Sequence, residues 1–164
     1  MLKNNNIIAF QGAHGAYSDL ACRKVFPDLT TLPCKTFEDT FAAIRDGRAA
    51  LGMIPIENSI AGRVADIHYL LPKSGLFIIN EHFQSINHFL LAIKGASIKT
   101  ITHVHSHVHA LSQCRNFINN LKIEPVIHAD TAGAAKELSK KHSKTQSVIA
   151  SDLAARLHGL EVLA

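Results

Sequence analysis

The chain reads as an α/β protein of two lobes with a central cleft. Two observations carry this. Short apolar runs alternate with stretches of helical spacing almost throughout, the pattern of parallel sheets with covering helices. The runs Leu51 to Ile56 and Phe77 to Ile79 are apolar on both faces, as strands covered on both sides must be.

The elements follow in order. Ile7 to Phe10 predicts a strand, Ser18 to Phe26 a helix and Thr30 to Cys34 a second strand. Phe37 to Asp46 predicts a helix ended by Gly47, and Ala49 to Ile56 a third strand. A helix is expected from about Ile60 to Leu71, closed by Pro72 and Gly75, with Leu76 to Asn80 as a fourth strand. A second set begins with strands at His88 to Ile93 and Thr100 to His105. Val108, Leu111, Cys114, Phe117, Ile118 and Leu121 then recur at helical spacing. Pro125 to Ala129 predicts a strand, Thr131 to His142 a helix and Ser147 to Ala150 a strand. Asp152 to His158 is a helix stopped by Gly159, and Leu160 to Leu163 a last short strand. Residues 1–80 are expected to form lobe 1 and 81–150 lobe 2, with 151–164 a return segment towards lobe 1.

Composition narrows the function. The 164 residues are 47% hydrophobic, enough for a packed interior rather than a disordered chain. No apolar run approaches the roughly 20 residues of a membrane span, and Met1 to Asn6 is too polar for a signal peptide. A cytoplasmic location is expected, with no membrane partner. The net charge is +4. Its Lys and Arg are scattered, Trp is absent and no aromatic residues interleave with basic ones. Nucleic acid is therefore not expected as a partner; an anionic small molecule suits the balance equally well. Cys22, Cys34 and Cys114 form no CxxC pair and read as small buried thiols.

Four turns hold the candidate functional residues. Gly12 to Ser18 follows a strand and opens a helix, with Ser18 as a candidate N-cap; its spacing is not that of a dinucleotide fingerprint. Glu57-Asn58-Ser59 stands at the carboxyl end of the third strand, where α/β proteins bind ligands; a plain helix cap at Asn58 or Ser59 is the alternative. His103 to His109 alternates histidines in the manner of a metal site. The helical pattern begins near His107, however, so the four cannot share one face. No metal is expected there. Ser106 reads as a cap for the following helix, which carries the Gln113 amide one turn in. Thr131 reads as the cap of the helix after Asp130, followed by small residues. No GxSxG occurs, and Cys114 lies on the apolar stripe of its helix, so nucleophilic catalysis finds no footing.

These turns, in this order, resemble the prephenate dehydratase family. The resemblance runs through Ile8-Ala9-Phe10-Gln11-Gly12 with Gly15 and Ser18, then Ile54 to Val64 with Asp66. It continues through Ser106-His107 to Gln113-Cys114, Thr131-Ala132 with Ala134-Ala135, and Ile149-Ala150-Ser151 with Ala154-Ala155 and Gly159-Leu160. It implies two Rossmann-like lobes like those of type II periplasmic binding proteins. It implies decarboxylative dehydration of prephenate to phenylpyruvate, a step of L-phenylalanine biosynthesis, without a cofactor and in a homodimer. Asn58, Ser106 and Gln113 correspond to the family's substrate contacts, with Ser59 and Thr131 as neighbours.

Two departures stand out. Ala16 occupies the position where the family usually has Thr. The family's Thr-Arg-Phe motif, expected to supply the acid and the carboxylate clamp, does not occur in these residues, so the catalytic residues are unassigned. Little turnover is expected of residues 1–164 alone. The rival reading is a non-catalytic two-lobed module that binds a small anion.

Overall fold

The structure, a computed structural model, describes residues 6–164. The polar stretch 1–5, part of the segment read as unlike a signal peptide, lies outside the described residues. The chain folds as two compact units. The first runs to Ala13 and from Tyr17 to Ser85. The second comprises His14–Ala16 and Ile86–Ala164. Residues 151–164 thus belong with the second unit.

The first unit is built on β1 (Ile7–Gln11), β2 (Thr30–Cys34) and β3 (Leu51–Met53), in the order β2-β1-β3 and all parallel. Helix α1 (Tyr17–Val25) ties itself to β2 through Arg23. That guanidinium holds the buried Asp19 carboxylate at 2.9 Å and donates to Thr31 Oγ1 at 3.2 Å. Helix α2 (Phe37–Arg45) is capped by Thr36, whose hydroxyl accepts from the Asp39 N–H.

Two expectations fail in this unit. The helix predicted from Ile60 begins only at Ala65, as α3 (Ala65–Leu70), followed by a short 3-10 turn at Leu71–Lys73. Before it, β4 (Glu57–Asn58) and β5 (Gly62–Arg63) form a hairpin. Asn58 Oδ1 accepts from the N–H groups of Ile60 and Ala61 at 2.9 and 2.8 Å. That local bonding overrides the helical spacing of the apolar residues, and neither Asn58 nor Ser59 caps a helix. The fourth strand, Leu76 to Asn80, is also missing. The described sheet ends at β3, this run pairs with no strand among the described residues, and Phe77 is left 89% exposed.

The second unit carries β6 (Phe89–Ala92), β7 (His103–Ser106), β8 (Glu124–Ile127), β9 (Gln146–Ala150) and β10 (Glu161–Val162), in the order β10-β6-β9-β7-β8. Strands β7, β8 and β9 are parallel; β6 runs against β9, and β10 against β6. Period-two alternation sends Leu90, Val104 and Ile149 to one face and Leu91, Val148 and Ala150 to the other. Helices α4 (Val108–Gln113) and α5 (Arg115–Leu121) supply Leu111 and Ile118 to the first face. Helices α6 (Thr131–Leu138) and α7 (Asp152–His158) cover the second with Ala134, Leu138, Ala154 and Ala155.

The single helix expected over Val108 to Leu121 is broken at Cys114, whose backbone (φ −97°, ψ 12°) leaves the helical region. Across the centre of this sheet two serine hydroxyls bond reciprocally. Ser147 Oγ donates to the His103 carbonyl at 2.8 Å, and Ser106 Oγ to the Ile149 carbonyl at 2.6 Å.

Candidate functional site

Strand direction gathers the candidate residues of the second unit. The carboxyl ends of the parallel strands β7, β8 and β9 lie at one edge of the sheet. Strand β6 is antiparallel and starts there, with Phe89 opposite Ala150. His88, just before β6, therefore reaches the edge that holds Ser106, the loop into α6 and Ser151. Such edges are where open α/β sheets bind ligands.

Ser106 is fully buried. Its proton is engaged by Ile149, so only its oxygen lone pairs remain to accept. It does not cap α4. His107 does, its Nδ1 accepting from the His109 N–H at 3.3 Å. An accepting Nδ1 is unprotonated, and burial, followed by neighbouring His109, lowers the His107 pKa against the opposing pull of Asp130.

Gln113 ends α4. Its Oε1 lies 2.7 Å from His88 Nε2. Thr131 is the first residue of α6 and half-buried. The cap is its neighbour Asp130, whose Oδ1 accepts from the Gly133 N–H at 2.6 Å. A carboxylate outcompetes a hydroxyl for that role because its bond is charge-assisted. His128 braces the same loop through Nδ1, 3.0 Å from the Asp130 carbonyl, and Nε2, 3.2 Å from Glu137 Oε2.

Part of the glycine turn joins this edge. Ser151 caps α7 and donates to the Gly15 carbonyl at 2.6 Å. Gly15 has φ +95°, and a Cβ there would stand 3.0 Å from Ala154 Cα and Cβ. Only glycine satisfies both conditions. Ser18 is not a cap, because α1 already begins at Tyr17.

The other candidates belong to the first unit. Asn58 uses Oδ1 to close the β4–β5 turn, which leaves its amide Nδ2 as a donor. Ser59 is exposed at the tip. The structure thus groups Ser106, Gln113 and Thr131 on one sheet edge, and Asn58 with Ser59 on one hairpin.

The alternating histidines separate as their spacing implied. His103 and His105 share one face of β7, while His107 and His109 belong to the cap and helix. Among the described residues no three His, Cys, Asp or Glu side chains converge as a metal would require. The Cys22 and Cys114 thiols are poor nucleophiles. Burial, with Asp19 adding to it, pushes Cys22 up to about 12, and burial also raises Cys114.

Sequence reasoning missed His88 and Ser151. The Ser-x-x-Ala start of α7 offered a cap signal for Ser151. His88 offered none, because its place at this edge depends on the antiparallel direction of β6. Chemically, the edge presents an amide, a hydroxyl and imidazoles, donors suited to an anion.

The family model described as prephenate dehydratase matches residues 8–164. The bifunctional N-acyl-homoserine lactone acylase/prephenate dehydratase of Komagataeibacter europaeus is 52% identical over 99% of this chain. Arogenate dehydratase/prephenate dehydratase 1 of Arabidopsis thaliana is 40% identical over 96% of it. The chain spans 58% of the first relative's length and 40% of the second's. The solved prephenate dehydratase of Arthrobacter aurescens, in complex with L-Phe, matches with a TM-score of 0.88 and 29% identity, covering 96% of this chain and 54% of that one. No helix among the described residues is long and apolar enough to cross a membrane. The chain belongs to the prephenate dehydratase family.

Proposed function

We propose that this chain binds prephenate and takes part in its conversion to phenylpyruvate, water and carbon dioxide in phenylalanine synthesis. The observation that carries the reading is the gathering of Ser106, Gln113 and Thr131 at one carboxyl edge, within a chain of this family. The Gln113 amide and the Thr131 hydroxyl there are donors that fit a carboxylate, while Ser106 offers only its oxygen as an acceptor. Asn58 and Ser59, on the hairpin of the first unit, are proposed as substrate contacts in their own right. In the reaction the ring carboxylate departs as carbon dioxide. Its bonding electrons enter the ring as the ring hydroxyl leaves, and that oxygen needs a proton to leave as water. Three unpaired cysteines suit the reducing cytoplasm as the place of action. Homodimerisation belongs to the same reading, and sedimentation would test it.

Calorimetry with prephenate, run beside a phenylpyruvate assay, tests the function. Binding with turnover supports a dehydratase, and binding without turnover supports the anion-binding module. Absence of binding sinks both. Asn58→Ala is expected to weaken prephenate binding about tenfold, the loss of one hydrogen bond to a charged group. If it unfolds the chain instead, Asn58 serves the turn alone.

A second reading comes from the name of the Komagataeibacter relative: N-acyl-homoserine lactone acylase activity. The described residues offer it little support. The Cys22 and Cys114 thiols are raised in pKa, and the Ser106 proton is engaged by a carbonyl. Release of homoserine lactone from an acylated substrate by this chain would establish it.

A further inference from the structure

We propose that His88 is a positioning residue that fixes which end of the Gln113 amide faces the ligand. The proposal rests on the reading of Gln113 as a prephenate contact.

The two side chains are 25 residues apart in sequence and belong to different elements, yet His88 Nε2 and Gln113 Oε1 stand 2.7 Å apart. An amide oxygen only accepts, so the imidazole nitrogen must be the donor: Nε2 carries the proton. Both groups are half-buried, which strengthens the bond relative to one in water. With Oε1 held by the ring, the two N–H donors of the Gln113 amide are left for another partner.

The alternative pairing reverses the polarity. A ring protonated only at Nδ1 would accept at Nε2 from the Gln113 amide nitrogen and turn Oε1 outward. An outward oxygen repels a carboxylate, whereas an outward amide nitrogen binds one. The tautomer of His88 thus sets the sign of the dipole that Gln113 presents. Strand register makes the placement useful. His88 lies beyond the end of β9, and Ser106 lies two strands away across β9, roughly 10 Å at ordinary strand spacing. That is the scale of a small dicarboxylate.

The test combines a spectroscopic signature with a binding cycle. Long-range proton–nitrogen spectra of the nitrogen-15-labelled chain report the His88 protonation site without any ligand. A protonated Nε2 is expected, and a ring protonated at Nδ1 alone would overturn the proposal. In calorimetry with prephenate, His88→Phe is expected to weaken binding about tenfold. The same change in a Gln113→Ala background should have no further effect, because His88 acts through that amide. Equal losses in both backgrounds would mean a merely structural role and would overturn it. His88→Gln, which keeps an N–H donor near the same place, should restore most of the affinity. It also serves in the cycle if His88→Phe fails to fold. If the unsubstituted chain binds no prephenate, the proposed function fails by itself, and the tautomer spectrum still decides the orientation of Gln113.

Discussion

The two units solve the same packing problem to different degrees. The second sheet has five strands and buries residues on both faces; its central strand β9 is buried from Ser147 to Ala150. The first has three strands and leaves Phe77, Ile78 and Ile79 exposed beyond it. The difference lies in how each sheet is extended beyond its parallel strands. In the second unit, β6 and β10 run antiparallel and widen the sheet. In the first, the apolar run after the 3-10 turn pairs with no strand among the described residues. Apolar character alone does not make a strand; a hydrogen-bonding partner does.

A pair of glycines probes the contrast most strongly. Gly15 in the second unit combines φ +95° with contacts at 3.0 Å to Ala154. Gly15→Ala adds left-handed strain to overpacking and is expected to cost about 3 kcal/mol, read as a lower urea midpoint. A loss below about 1 kcal/mol would show that this edge is looser than described.

Acid should separate the units next. His105, His107 and His158, all in the second unit, have lowered pKa values, each chiefly through burial. The Nε2 atoms of His105 and His158 are buried without hydrogen-bond partners, which suits neutral rings. A depressed folded-state pKa means that the unfolded chain binds more protons between the two values. The stability contribution is therefore full above about pH 6.5 and is lost as pH falls through the depressed values. Hydrogen exchange at pH 7.5 and pH 5.5 should show the second unit loosening more than the first. Equal loosening of both would break the comparison.

The smallest effect belongs to Gly62 in the first unit. Its φ is +82°, but a Cβ there meets nothing within 4 Å. Gly62→Ala should cost only the backbone strain, about 1 kcal/mol, seen as a thermal midpoint lower by about 3 °C.

Legibility tracked how local each signal was. Helix α7 was readable at its carboxyl end, because Gly159 closes it within the segment itself. Strands β1 and β2 were readable from their apolar runs. Three proposed caps failed for specific reasons. Ser18 lies inside α1, whose first residue is Tyr17. Ser106 bonds across the sheet to a residue 43 positions away, and Thr131 yields to the carboxylate before it. The hairpin at residues 57–63 was hidden because Ile60, Val64, Ile67 and Leu71 keep a helical period while Asn58 closes a turn. His88 was out of reach of any sequence rule, since only the direction of β6 brings it to Gln113. The binding candidates Ser106, Gln113 and Thr131 were visible as separate turns, but their shared edge depends on strand order.

The reciprocal serine bonds between β7 and β9 have a consequence for folding. Each hydroxyl recognises one carbonyl on the opposite strand, so together they act as a two-point key for alignment. A slip of either strand by one residue would send its side chains to the opposite face of the sheet and pull both hydroxyls away from their carbonyls. Misaligned pairings of these two strands therefore lose twice over, and the edge that carries Ser106 inherits its accuracy from a check made in the middle of the sheet.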